Sequence, residues 1–414
     1  KRLNDKIDLL DNINWNFDFK NEYLYDRAQP INCRKYFSYP ATFIPEIPYT
    51  LIEILSEPGE CILDPFGGIG TTFFQAVIQD REAYSIDNNL VASEINRSMA
   101  FIFNSFYELD KVQEKILKFC ADYKKNNDYT KDISGEQTQL REWYAEETYN
   151  QIAYLISKYN VTREKLGEIE YHVFKICLAD ILTTASSQNG GWAYIADNVK
   201  PKKDKLKEKK AIERFNFCVK RIVEDFLKYR EVLQKKGGNL YLKSIQDNHI
   251  LNQNFVQMEV SDLKGKVDLV VTSPPYPKMI DYVKSQRLVY YLLDKEFKQN
   301  LEEEIGARYK RTKRDTLDQY LVAMKECNSK LANIIKDGGY LCYILPDYPV
   351  ESDDTKDSRR QIIEKVVEDC KQKGFHEEKE IHRYIPGTKR SNNMKWASLK
   401  NEKIWIFKRV KHEI

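Results

Sequence analysis

Apolar residues along this chain fall into two alternating patterns. Short blocks at Cys61–Leu63, Ala83–Ile86, Phe255–Val260, Leu269–Val271 and Tyr340–Leu345 are bounded by Gly, Pro or acidic residues. They read as buried strands. Between them, helices are predicted over Ile47–Leu55 (entered near Pro48), from Thr71 to about Gln79, from Leu317 to about Ile335, and from Arg359 to Lys373, where Gly374 supplies a C-cap. Strand and helix in alternation predict an α/β domain with a mostly parallel sheet. Two last strands, Glu378–Tyr384 and Lys403–Arg409, read as a hairpin. From Ser105 to Gly238 the pattern turns to Lys- and Tyr-rich helix. Here Phe215, Val219, Ile222, Phe226 and Leu233 recur at helical spacing and mark one buried face. That stretch is too long for a connection and is read as a mainly helical insertion.

Two of the strands end in loops with chemical character. Val267–Tyr276 reads VDLVVTSPPY. The prolines lack N–H donors and fix φ, so the strand stops there. This leaves a stiff loop at a strand's carboxyl end, where open α/β sheets bind ligands. Ser273 and the Pro274 carbonyl can accept hydrogen bonds, and Tyr276 offers a flat aromatic face. The set suits a planar ring that carries an exocyclic amino group. The second loop comes after Cys61–Leu63 in CILDPFGGIGTT. Its glycines permit close approach of backbone to ligand, and Asp64 can face a cationic group. The next strand ends in Asp87, where a nucleoside site keeps the acid that binds ribose hydroxyls.

TSPPY resembles the catalytic SPPY tetrapeptide of the S-adenosylmethionine-dependent DNA amino-methyltransferases. DPFGGIGTT resembles their DPFxGxGTT cofactor signature at every fixed position. A nicotinamide enzyme would share the acid but not the DPF opening, nor would it explain SPPY. The resemblance covers everything but the insertion and part of the amino terminus. It implies a Rossmann-like methyltransferase fold with a mostly parallel seven-stranded sheet and a C-terminal antiparallel hairpin. Residues 1–104 would then be an N-terminal arm and cofactor half, 105–238 a helical target-recognition insertion, and 239–414 the catalytic half. For the cofactor, S-adenosyl-L-methionine, it points to Asp64, Pro65, Phe66, Gly68, Gly70, Thr71, Thr72, Asp87 and Asn88. Asp262 joins them as the acid after the third strand, on the adenine amino group, with Tyr39, Thr42 and Phe43 from the segment ahead of the first strand. Ser273, Pro274, Pro275 and Tyr276 would be catalytic, with Tyr276 stacked on a flipped base. Ser before Pro-Pro-Tyr favours N4 of cytosine. N6 of adenine is the first alternative, then an RNA or protein amide methyltransferase, then a non-catalytic DNA-binding subunit.

Charge changes this picture only locally. Charged residues make up 31% of the 414 but the formal net charge is +3, so any DNA-binding surface must be a patch. KPKKDKLKEKK (200–210) holds seven lysines and two acids, with Lys202, Lys203 and Lys205 as phosphate-contact candidates. RYKRTKR (308–314), with Arg311, is a second candidate, and Lys389 and Arg390 in the loop between the last two strands a third. Lys284 and Arg287 come just after the SPPY loop. Gln188, Asn189 and Trp192 are types that can read or wedge bases. The expected partner is double-stranded DNA, joined in the family by a cognate restriction endonuclease or defence-system subunits. Eight cysteines without a CxxC pair and five unclustered histidines argue for reduced thiols and no metal. No apolar run reaches membrane-spanning length, so a cytoplasmic, nucleoid-associated protein is expected. Trp15, Phe17, Phe19, Tyr23 and Tyr25 are expected to pack the N-terminal arm on the main domain. Methylation at carbon 5 of cytosine would need a Pro-Cys nucleophile, which the sequence lacks.

Overall fold

The computed structural model describes residues 4–17, 30–40, 42–187, 200–235, 249–307, 315–348, 354–385 and 401–410. Its centre is a seven-stranded sheet: β1 Cys61–Asp64, β2 Glu82–Asp87, β3 Ile250–Asn252, β4 Val267–Thr272, β5 Ile335–Pro346, β6 Phe375–Tyr384 and β7 Asn401–Arg409. The strand order is β3-β2-β1-β4-β5-β7-β6. Strands β1 to β5 pair in parallel, and β7 enters antiparallel between β5 and β6. The mixed α/β architecture with a closing antiparallel pair, expected from the resemblance, is the one observed. The order grows outward in both directions from the β1–β4 pair, which makes the crevice beyond those two strands a topological switch point. The glycine loop after β1 and the SPPY loop after β4 both open there.

The strand sequences show why the sheet is buried on both sides. In β4, Leu269 and Val271 face one apolar cluster while Val267 and Val270 face another. In β5, Tyr340, Cys342 and Ile344 alternate in the same way with Leu341, Tyr343 and Leu345. Each fully buried Val or Leu contributes about 1.5–3 kcal/mol relative to exposure. The second cluster is closed by helices Thr316–Ile334 and Asp354–Gln372. The first is closed by helix Leu90–Asn104 and by the insertion, whose long helices are Glu146–Lys165, Glu168–Ala185 and Ala211–Lys235. Phe103, Phe174, Phe215 and Phe226 lie in one continuous cluster with Ile62 and Leu269 of the sheet. The insertion therefore shares the sheet's core. The amino-terminal arm joins the same cluster through Trp15, Phe17 and Tyr36, the last stacked on Phe226 at 4.7 Å. Phe19, Tyr23 and Tyr25 lie outside the described residues.

Three expectations are corrected. Phe255–Val260 is not a strand: the third strand is Ile250–Asn252, and the chain then turns at once. Asn254 causes the turn. Its side chain accepts from the Val256 N–H at 3.1 Å, and its carbonyl accepts from the Gln257 and Met258 N–H groups. Asp337-Gly338-Gly339, expected as a turn, lies inside β5, where pairing to β4 shifts register between Val267 and Leu269. The helix from Thr71 ends at Val77.

Candidate active site

The two loops and the segment ahead of β1 line one cavity, together with residues from the chain after the SPPY loop. Tyr39, Thr42 and Phe43 come from that segment, Pro65, Phe66, Gly68 and Thr71 from the glycine loop, and Asp87 and Asn88 from the end of β2. Ser273 and Pro275 of the SPPY loop join them. The sequence thus indicates about half of this wall.

Asp87 organises the cofactor side. One carboxylate oxygen accepts from the Gly68 N–H at 2.8 Å and the other from the Asn89 N–H at 2.7 Å. Burial raises its pKa from 3.8 to about 6, against the lowering effect of those two bonds. Asn89 in turn caps helix Leu90–Asn104 by accepting from the Val91 N–H, and its amide donates to the Tyr39 hydroxyl at 3.2 Å. Gly68 has φ +51, and a side chain there would point at the Tyr39 ring, 3.5 Å away. Among the described residues the buried Thr42 hydroxyl has no hydrogen-bond partner, so the wall carries an unused donor and acceptor.

Asp64, Gly70 and Thr72 stand behind the wall rather than on it. Asp64 is 1% exposed, and its carboxylate accepts from the Thr272 hydroxyl at 2.6 Å and the Phe66 N–H at 3.0 Å. It therefore ties the end of β1 to the end of β4, and burial raises its pKa to about 6. Thr72 donates to the Val271 carbonyl at 3.1 Å, a second tie between the two loops. Asp262 is displaced for a different reason: with β3 ending at Asn252, it lies exposed on a 3-10 turn, Ser261–Leu263, and is not on the cavity wall. The residues after β3 that reach the wall are Asn254 and Phe255.

The SPPY loop holds a second correction. Ser273 and Pro275 face the cavity, while Pro274 is not on its lining. Tyr276 is 7% exposed and also off the lining, so its ring is covered and not presented for stacking. Its hydroxyl lies 3.4 Å from the Ser273 Oγ and 3.3 Å from Glu402 Oε1.

Sequence reasoning missed a third contribution, the stretch after the SPPY loop. Tyr282, Asn300, Glu303 and Glu304 also line the cavity. Asn300 donates to the Asn88 carbonyl at 2.8 Å, and Glu304 accepts from the Tyr282 N–H at 2.7 Å. Nothing in their spacing marks them, because tertiary packing alone folds helix Lys298–Glu303 back over the end of β2.

Among the DNA-contact candidates, Lys202, Lys203 and Lys205 are exposed, around a single 3-10 turn. Lys209 anchors that stretch by donating to the Thr184 and Ser186 carbonyls at the end of helix Glu168–Ala185. Lys284 is half-buried, and the Arg287 guanidinium lies 5.3 Å over the Phe297 ring. Gln188, Asn189, Trp192, Arg311, Lys389 and Arg390 lie outside the described residues.

Residues 4–98 match the family model described as DNA methylase. The match takes in the N-terminal arm, β1, the glycine loop, β2 and most of helix Leu90–Asn104, and so supports kinship with the N4/N6 DNA amino-methylases over the cofactor half. No curated protein matches the chain. No group of His, Cys, Asp or Glu among the described residues could hold a metal ion, and no described helix is long and apolar enough to cross a membrane.

Proposed function

We propose that this chain is a site-specific DNA methyltransferase that moves a methyl group from S-adenosylmethionine to the N4 amino group of cytosine in duplex DNA. One observation carries the reading: Ser273 and Pro275 of TSPPY share a cavity with Gly68 and Asp87 at the switch point of the sheet. The cavity wall suits the cofactor. Asp87 offers a carboxylate for ribose hydroxyls, Phe43, Phe66 and Phe255 offer apolar faces for an adenine, and Glu303 and Glu304 put negative charge near a cationic tail. The buried Thr42 hydroxyl is a polar atom with no partner among the described residues. Bound there, S-adenosylmethionine supplies an electrophilic methyl group on a sulfonium.

The chain's own residues supply positioning. An exocyclic amino nitrogen is a poor nucleophile, because its lone pair is delocalised into the ring. Inside a duplex it is also out of reach, so the base must leave the stack, at a cost of a few kcal/mol. Ser273 Oγ, on the cavity wall, would accept one of its N–H bonds and help aim the lone pair at the methyl group, an effect of orientation and fixed dipoles. The cysteines are buried and carry no nucleophilic role in this scheme. The exposed Lys202, Lys203 and Lys205 would meet phosphates, and a cognate endonuclease or defence subunit would be the physiological partner.

The test is transfer of labelled methyl from S-adenosylmethionine to mixed-sequence duplex DNA, with nucleoside mass spectrometry of the product. N4-methylcytosine is expected. N6-methyladenine would move the target to adenine, which the family match allows equally, and absence of label in DNA would overturn the proposal. Ser273→Ala is expected to slow single-turnover transfer about thirtyfold, the loss of roughly 2 kcal/mol from one acceptor bond. Cofactor affinity should be unaltered.

A further inference from the structure

From Ser273 on the cavity wall, a polar chain whose order has a direction runs back into the protein behind the SPPY loop. Ser273 Oγ donates to the Tyr276 hydroxyl, and that hydroxyl donates to Glu402 Oε1. The other oxygen of Glu402 is 2.5 Å from Arg383 Nη1, in a pair set directly opposite across the β6–β7 hairpin. Arg383 is held in turn by the Trp15 carbonyl of the N-terminal arm, at 2.9 Å from its Nε. Glu402 and Arg383 are 8% and 4% exposed, so water does not compete for these bonds. The two hydroxyl distances are longer than the usual O–H···O range, as catalytic hydrogen bonds commonly are before substrate is engaged.

We propose that Glu402 is a positioning residue that makes Ser273 a hydrogen-bond acceptor towards the target amino group. The inference rests on the proposed methyl transfer and extends it to the hairpin. A serine hydroxyl can either accept from an N–H or donate to a lone pair. Accepting frees the amino lone pair for the methyl group, whereas donating would engage that lone pair and oppose transfer. A carboxylate can only accept, so Glu402 forces the Tyr276 proton towards itself, and the Tyr276 oxygen then accepts the proton of Ser273. The lone pairs of Ser273 are left facing the cavity. Arg383, which can only donate, keeps Glu402 in place and turned the right way.

The direction gives an unusual ordering of variants. In Glu402→Gln, Arg383 claims the amide oxygen, so the amide NH2 faces Tyr276 and reverses the chain. Tyr276 then donates to Ser273, and Ser273 donates into the cavity. Tyr276→Phe removes the relay but leaves Ser273 free to turn, so its loss should be milder. The experiment is single-turnover methyl transfer at saturating cofactor and DNA, with cofactor affinity by calorimetry and thermal unfolding as companions. Expected are a loss of roughly tenfold for Y276F and roughly a hundredfold for E402Q, the span of one misdirected catalytic hydrogen bond. The double variant should recover to the Y276F level, because phenylalanine cannot transmit the reversal. Cofactor affinity should be unchanged in all three. A merely structural role for Glu402 predicts that the double variant is at least as slow as E402Q, and that result would overturn the proposal. So would Y276F at the wild-type rate, which covers the case in which E402Q fails to fold. A wild-type chain that methylates no DNA would instead overturn the proposed function.

Discussion

Asp87→Ala is expected to weaken S-adenosylmethionine affinity by about 4 kcal/mol, roughly a thousandfold, when measured by calorimetry. Hydrogen bonds to a charged acceptor contribute roughly 1.5–3 kcal/mol each, and the substitution would remove two to ribose hydroxyls. It would also release the Gly68 and Asn89 N–H groups that Asp87 now holds, so the glycine loop and the cap of helix Leu90–Asn104 lose their common anchor. Asp87→Asn, which keeps one acceptor oxygen, should fall between. An unaltered dissociation constant in Asp87→Ala would rule out the ribose assignment.

The raised pKa of the same carboxyl fixes a pH dependence with two opposite signs. Ribose binding requires the ionised form, so cofactor affinity should fall by about tenfold per pH unit below about 6. Stability of the free protein runs the other way. Asp64 and Asp87 both titrate near 6 in the fold against 3.8 when unperturbed, so the folded state holds more protons across that window. Stability contributed by these groups is therefore fully present below 3.8 and is lost as pH rises to about 6, with no further change above. For the deeply buried Asp64 the difference is about 3 kcal/mol. Asp64→Asn, which preserves an oxygen for Thr272 and Phe66, should flatten that part of a denaturation series. A slope that persists between pH 4 and 6 in a variant also carrying Asp87→Asn would show that other groups dominate.

The β1 and β4 loops were legible because their chemistry is local. Two prolines end a strand wherever they fall, and a glycine run after an apolar block fixes a turn before any tertiary contact forms. The hairpin and the helical face from Phe215 to Phe226 were legible for the same reason, since periodicity alone marks what is buried. Asp262 was misplaced because FVQMEV has the composition of a strand, yet one Asn side chain ahead of it closes a turn, and the true strand Ile250–Asn252 is too short to show a period. Tyr276 was misread by likeness. Its residue type suits stacking, but only the fold shows Glu402, far along the chain, waiting for its hydroxyl. Asn300, Glu303 and Glu304 carry no pattern of their own and reach the cavity through packing of helices beyond the catalytic loop.

Gly70→Ala is expected to destabilise the fold by about 3 kcal/mol in chemical denaturation, and the reason lies in two separate costs. Gly70 has φ +91, a left-handed conformation that costs a residue with a Cβ roughly 1–2 kcal/mol. Its added Cβ would also sit 2.5 Å from Asn96 Oδ1 and 2.8 Å from Asn96 Cγ. Asn96 cannot yield easily. It is fully buried on helix Leu90–Asn104, and its amide donates to the Ser85 hydroxyl at 3.0 Å, which itself lies where a Cβ on Gly67 would go. Overpacking of this kind costs roughly 1–3 kcal/mol. Gly59→Ala is the control: its φ is +85, but nothing lies within 4 Å of an added Cβ, so it should show the strain alone, about 1 kcal/mol. Because helix Thr71–Val77 begins at Gly70 and carries Thr71 to the cavity wall, Gly70→Ala should also weaken cofactor binding, whereas Gly59→Ala should not. If the two variants lose equal stability, close packing of the glycine loop on Asn96 is not what holds the cofactor half of the cavity in shape.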